Sequence, residues 1–273
     1  MRGWIIVLAI LIAPAAHAQD LVFPGMVEAR ERAVLATSLD GLLAQILFRG
    51  GETVEKGQPL FRLDTRALDL DVTSAQAAVA AQSARAGNAR QQLERLTQLS
   101  QRQVTSQASL DEAAARRAAA EADLEVARVR LEQAELEREK ATIRAPISGV
   151  VSRPDVALGA FLEAKAGPPL AEIVQLDPVL VAYDVPYQTR LQTIRETGAS
   201  TVQQMFEGLV LTVRLNNGEQ VAAGITPEFA SASVNAADGT LTIWADVPNP
   251  DRVLRPGMRV VVSAEIVAQS SGD

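Results

Sequence analysis

The chain has 273 residues, is 48% apolar but only 4% aromatic, and carries a formal net charge of −7. That acidity argues against a nucleic-acid partner, which needs a basic patch or stripe. Cysteine is absent and the single histidine is His17. Thiol chemistry, disulfides, cysteine zinc sites and, once the leader holding His17 is removed, histidine general-base catalysis are therefore excluded. No pair of acids stands apart from the charged helical faces, so no catalytic residue is assigned and the chain is read as not an enzyme.

The first residues read as an export signal. Arg2 precedes an apolar run over residues 4–12, and Ala16-His17-Ala18 gives an A-x-A cleavage pattern. The run is shorter than the ~20 residues a membrane span needs. Cleavage is expected after Ala18, leaving Gln19 first, with an uncleaved anchor as the alternative, and the mature protein is expected to be soluble and exported.

Residues 21–64 have strand character, with short apolar runs punctuated by glycines at 41, 50, 51 and 57. From about Thr65 the period changes. Leu68, Val72, Ala75, Val79, Gln82, Ala86, Ala89, Leu93 and Leu96 step by four and three, a heptad seam. A second seam runs through Leu110, Ala113, Arg117, Ala120, Leu124, Ala127, Leu131 and Ala134. Residues 100–109 between them are polar, with β-branched Val104 and Thr105 as a break. Two such helices with a short connection form an antiparallel coiled-coil hairpin, each arm roughly 50 Å long.

Beyond the helices the strand pattern resumes. Gly149 and Gly159 repeat the ten-residue spacing of Gly41 and Gly51, and Gly57-Gln-Pro-Leu60 is echoed by Gly167-Pro-Pro-Leu170. Gly41, Gly51, Gly57, Gly149 and Gly159 are read as structural turn glycines of the two copies. After Asp177-Pro178 a third region begins. It holds a strand over 179–185, a short helical stretch over 187–196, a hairpin of 209–215 and 219–225 around Asn216-Asn217-Gly218, a second of 231–234 and 240–247 around Asp238-Gly239, and a last strand over 259–266. About six strands in some ninety residues suggest a small antiparallel barrel.

The split repeat resembles a lipoyl or biotinyl carrier domain, whose halves are related by a pseudo-twofold axis. A true carrier places a lysine on the turn between the halves. Here that turn holds Leu63-Asp64-Thr65-Arg66, and the three lysines, Lys56, Lys140 and Lys165, lie elsewhere, so no cofactor is expected. A lipoyl-like module with an α-hairpin in that turn, followed by a barrel, resembles the periplasmic adaptor subunits, or membrane fusion proteins, of tripartite resistance-nodulation-division type efflux pumps. Ala145-Pro146-Ile147-Ser148-Gly149-Val150-Val151, Asp184-Val185-Pro186 and Leu254-Arg255-Pro256-Gly257-Met258 support it. At the tip, the family's contact with a TolC-type outer-membrane channel uses an Arg, a Leu four residues on and a Ser seven further. Arg95, Leu99 and Ser106 have that spacing, with Asp111 following; Ser106 is equally placed to cap the second helix.

The expected fold is α+β, elongated and multidomain: a split lipoyl-like β-sandwich with an inserted antiparallel coiled-coil α-hairpin, followed by a small antiparallel β-barrel. The segments are a signal peptide over 1–18, an N-terminal strand segment over 19–32 as a reduced membrane-proximal part, lipoyl-like halves over 33–64 and 141–176, the hairpin over 65–140, the barrel over 177–268 and a tail over 269–273. The resemblance implies a non-catalytic adaptor, without cofactor or metal, linking an inner-membrane proton-driven efflux transporter to a TolC-type channel for export of small molecules. It also implies a periplasmic location and a hexameric ring. Alternatives are an adaptor for an ATP-driven exporter or type I secretion system, or a periplasmic coiled-coil scaffold. Met26, Met205 and Met258 are read as packing residues rather than a metal relay, and Trp244 and Phe206 as barrel core.

Overall fold

The structure, a computed structural model, describes residues 21–197 and 201–266. The expected signal segment with His17 and the tail over 269–273 lie outside them. The chain divides into two compact units, one of residues 31–174 and one of the residues before and after these.

The opening strand, β1 (Leu21–Ala29), belongs to the second unit. The first unit begins with β2 (Arg32–Leu35), β3 (Gly41–Ile46), β4 (Thr53–Val54) and β5 (Pro59–Leu63). Two helices follow, α1 (Arg66–Gln101) and α2 (Gln107–Lys140). Then come β6 (Thr142–Arg144), β7 (Gly149–Val151), β8 (Phe161–Leu162) and β9 (Ala171–Val174). The strands form two four-stranded sheets, ordered β2-β9-β7-β4 and β6-β5-β3-β8. The repeat matches β3, β4 and β5 to β7, β8 and β9, and each copy lends its middle strand to the other: β4 pairs with β7, and β8 with β3. Neither copy closes a sheet alone. Their shared core includes Leu43, Leu60, Leu63, Val151 and Ile173, with Phe48 set edge-on to Phe61 at 5.1 Å between ring centroids.

The repeat glycines do two different jobs. Gly51, Gly57 and Gly159 are left-handed turn residues, at φ of +84°, +88° and +78°. Gly41 and Gly149, expected in turns, instead open strands β3 and β7. At Gly149 the reason for glycine is space, because a Cβ there would lie 2.5 Å from the carbonyl oxygen of Val174.

The helical hairpin grows from one sheet edge. β5 and β6 are antiparallel neighbours, with Arg62 opposite Thr142, so α1 leaves and α2 returns side by side. At the root, Asp64 takes the Arg66 backbone N–H (3.1 Å) and its guanidinium Nη2 (2.6 Å). The Arg66 contact holds the Asp64 carboxyl at a pKa of about 2. Along the arms, Val72, Ala86, Ala113 and Ala127 are buried, and every other position of the two heptad seams is half-buried. Arg117 fits its seam because Glu121 receives its Nε (2.9 Å) and also Nη2 of Arg90 on α1 (2.9 Å).

The second unit continues with β10 (Val179–Pro186), α3 (Tyr187–Thr197), α4 (Val202–Glu207), β11 (Leu209–Leu215), β12 (Gln220–Ile225), β13 (Pro227–Ala230), β14 (Thr240–Val247) and β15 (Arg259–Ile266). Its seven strands form one antiparallel sheet, ordered β12-β11-β15-β1-β10-β14-β13. The sheet curls so that β12 comes near β14. Alternation supplies the core: Leu241, Ile243, Ala245 and Val247 of β14 face inward, and α4 inserts Met205 and Phe206 among them.

Three expectations change here. Residues 21–29, placed in a segment apart from the barrel, form β1 at the centre of the sheet, paired with both β10 and β15. Phe23 and Val27 on one face of β1 complete the core. The strand expected over 231–234 lies instead at Pro227–Ala230, since Asn235 and Asp238 side chains accept the backbone N–H groups of Ala237 and Thr240 and widen the loop. Trp244 is not core; it points outward between Ile243 and Ala245, stacks on Phe229 at 5.1 Å and donates Nε1–H to Glu28. Of the methionines, Met205 is buried and Met258 packs on the core, whereas Met26 is 45% exposed on the outer face.

Candidate functional site

The hairpin tip is the segment from Arg95 to Asp111, and its backbone is closed at both ends. α1 stops because Gln103 turns left-handed, at φ +59°. Gln103 N–H then donates to Ser100 O (2.8 Å) and Val104 N–H to Leu99 O (3.0 Å). This pair is a Schellman closure, which satisfies carbonyls the helix would otherwise leave bare. α2 starts at an N-cap, Ser106, extended at φ −84° and ψ 154°, whose Oγ accepts the N–H of Ser109 (3.3 Å). Gln107 Nε2 adds a hydrogen bond to Asp111 Oδ1 (2.9 Å).

The three residues singled out from spacing fall at this tip with different surroundings. Arg95 is exposed on the last turns of α1, and among the described residues nothing pairs with its guanidinium. Leu99, one turn further on, is half-buried, and its carbonyl takes part in the closure. Ser106 is exposed, but its hydroxyl is already engaged as the cap of α2 and lies 2.9 Å from that of Ser109. The sequence reading passed over Val104 except as a break. In the structure it is the most exposed apolar side chain of the tip, at 70%. A β-branched residue amid polar ones was the available signal.

A depression lies at the root of the hairpin, lined by Arg62, Asp69, Glu132, Arg138 and Arg144 among others. It is wide open and mixes both charges. No group of three or more acidic, histidine or cysteine residues among those described could hold a metal. No described helix is long and apolar enough to cross a membrane.

Residues 31–176, more than half of the chain, match the family described as RND MFP, barrel-sandwich hybrid domain. The chain belongs to the membrane fusion protein family of RND-type pumps. It is 36% identical over 245 residues to the efflux pump periplasmic linker BepF of Brucella suis, covering 90% of this chain and 59% of that protein. It is 28% identical over 237 residues to the multidrug resistance protein MdtE of Escherichia coli, covering 87% of this chain and 62% of that one. The chain thus spans about three-fifths of the length of these relatives. A crystal structure of a MacA–MexA chimera carrying the Pseudomonas aeruginosa MexA α-hairpin domain superposes with a TM-score of 0.60. The match covers 91% of this chain and 79% of that one at 20% identity, which is a likeness of fold.

Proposed function

We propose that this protein is a non-catalytic periplasmic adaptor that joins an inner-membrane, proton-driven efflux transporter to a TolC-type outer-membrane channel, for export of small molecules. The observation that carries the reading is the tip. A closed turn there presents an unpaired Arg95 beside Leu99, on a hairpin inserted into a family fold whose named relatives are pump linkers. Arginine suits this contact because its fork of donors fits carbonyl or carboxylate oxygens on a partner's helix ends. One tip exposes little area, so several tips docking together supply avidity; a ring of six copies provides that. The protein reaches the periplasm by cleavage after Ala18 and is held at the inner membrane by its transporter.

The test is a photo-crosslinking residue at Gln101, the exposed end of α1, introduced into the full-length protein in its native cell. Position 106 is avoided because replacing Ser106 removes the cap. An adduct with an outer-membrane channel, lost on Arg95→Asp, is the expected result. A tip that captures no channel while the protein still co-purifies with the inner membrane overturns the docking role.

A further inference from the structure

At the tip, hydrogen bonds engage the end of α1 and the Ser106 hydroxyl. The Leu99 carbonyl is taken by Arg102 and Val104 N–H, the Ser100 carbonyl by Gln103 N–H, and the Ser106 hydroxyl by Ser109. Beside them stand exposed side chains, among them Arg95, Arg102 and, between the two helices, Val104. The closure explains why Val104 stands out. In a Schellman turn the residue after the left-handed one is paired with the helix position whose carbonyl it caps, here Val104 with Leu99. The motif normally covers that apolar pair. Here Val104 stays 70% exposed and Leu99 half-buried, so the pair stands as an apolar edge with no cover within its own unit. Gln103 sits in a backbone region that glycine adopts freely and other residues rarely do, and the Val104 N–H bond to Leu99 O ties the valine's backbone to the end of α1. A β-branched side chain has little rotamer freedom to lose on docking, and arginine is a residue type enriched at binding hot spots.

We infer that Val104 is the apolar anchor of the hairpin tip, entering an apolar notch edged by carbonyl or carboxylate oxygens on the partner channel, and that Ser106 is a positioning residue that acts through the cap. This rests on the adaptor reading above and redistributes the contact within it. Ser106 shapes the turn, Val104 supplies the buried surface, and Arg95 and Arg102 supply the hydrogen bonds at its rim.

The same Gln101 crosslink separates this inference from the reading beneath it. Val104→Asp is expected to lower the channel adduct about tenfold or more, the scale of losing one buried valine, while Val104→Ile keeps it. Far-UV circular dichroism of the purified full-length protein should be unchanged in both, since the side chain lies in solvent. Ser106→Ala should lower the adduct, and Ser106→Thr, which still caps, should restore it. If the unsubstituted tip is captured and Val104→Asp leaves the yield intact, the anchor is overturned and the adaptor reading stands. Equal losses in Val104→Ile and Val104→Asp assign the effect to turn shape and also overturn the anchor. If Ser106→Thr fails as Ser106→Ala does, restoring the cap does not restore docking and the positioning role is wrong. No adduct from the unsubstituted tip overturns both readings together.

Discussion

The helical hairpin and the barrel are stabilised on opposite principles. Helices of 36 and 34 residues bury only Val72, Ala86, Ala113 and Ala127 outright, because an alanine-rich seam lets two backbones approach while removing little apolar area from water. The barrel gathers nineteen buried side chains from five strands, one helix and a loop into one cluster. Cohesion in the hairpin is thin and repeated at every heptad, so it depends on helix propensity and charge. Cohesion in the barrel is concentrated, so it depends on a few large side chains and on the loops that pin them.

The largest expected effect is therefore in the barrel. Phe206 is 2% exposed within the core, and Phe206→Ala should destabilise that unit by about 3–5 kcal/mol through lost transfer energy and a cavity. The two regions can be read separately. Trp244 is the only tryptophan outside the expected leader, so its fluorescence follows the barrel, while ellipticity at 222 nm is dominated by the hairpin. In urea the fluorescence midpoint should fall sharply and the helical midpoint should hold. A helical transition that shifts equally would show the two to be one cooperative unit.

Next is a polar residue on which a loop depends. Asn249 is 4% exposed and donates Nδ2 to Leu176 O (2.6 Å) and Leu254 O (2.9 Å), while its Oδ1 accepts Leu254 N–H (3.0 Å). Asn249→Ala leaves those buried groups unpaired, and about 2–3 kcal/mol should be lost from the same fluorescence transition. A loss below 1 kcal/mol would mean that water replaces the amide.

Periodicity decides what could be read in advance. The heptad positions expected to face inward are those the hairpin buries, because one helix repeats one environment. The strand over Arg259–Ile266 and the turn at Asn216-Asn217-Gly218 were equally legible, being set by local pattern. What the sequence concealed is long-range. Nothing local in residues 21–29 says that β1 will pair with strands more than 140 residues later, or that the two repeat halves will exchange β4 and β8. Trp244 misled because size suggests burial, whereas strand alternation put it outside. At the tip, the family resemblance pointed to Arg95, Leu99 and Ser106 and the serine itself signalled the cap, but the closure of α1 has no residue-type signature: the left-handed position is Gln103, not glycine.

The hairpin should instead respond to acid. Arg117, then Arg90, holds the Glu121 carboxyl below its ordinary range. A carboxyl whose pKa is depressed on folding stabilises the folded form above its unfolded pKa and loses that contribution as pH falls through the folded one. The pair is open to solvent, so the effect is modest and screened by salt. Helical midpoints measured from pH 7 down through the carboxylate range should decline less in Glu121→Gln than in the unsubstituted protein. Parallel curves would show that the Arg90–Glu121–Arg117 network contributes nothing.

Two glycines carry the contrast to its smallest scale. Gly149→Ala drives a methyl to 2.5 Å from the Val174 carbonyl oxygen, so β7 or β9 must move and the sandwich should lose about 1–3 kcal/mol. Gly87 is the only glycine in α1, and a Cβ there would meet nothing within 4 Å. Its backbone is helical, and alanine removes the conformational freedom that glycine keeps in the unfolded chain. Gly87→Ala should therefore raise the helical midpoint, by about 0.5–1 kcal/mol in stability, while leaving Trp244 fluorescence untouched. Such a gain requires a hairpin whose cohesion is limited by propensity. If Gly87→Ala instead costs stability, the space beside residue 87 is filled by a neighbouring copy of the hairpin, and the measurement repeated across protein concentration would show the cost growing as copies assemble.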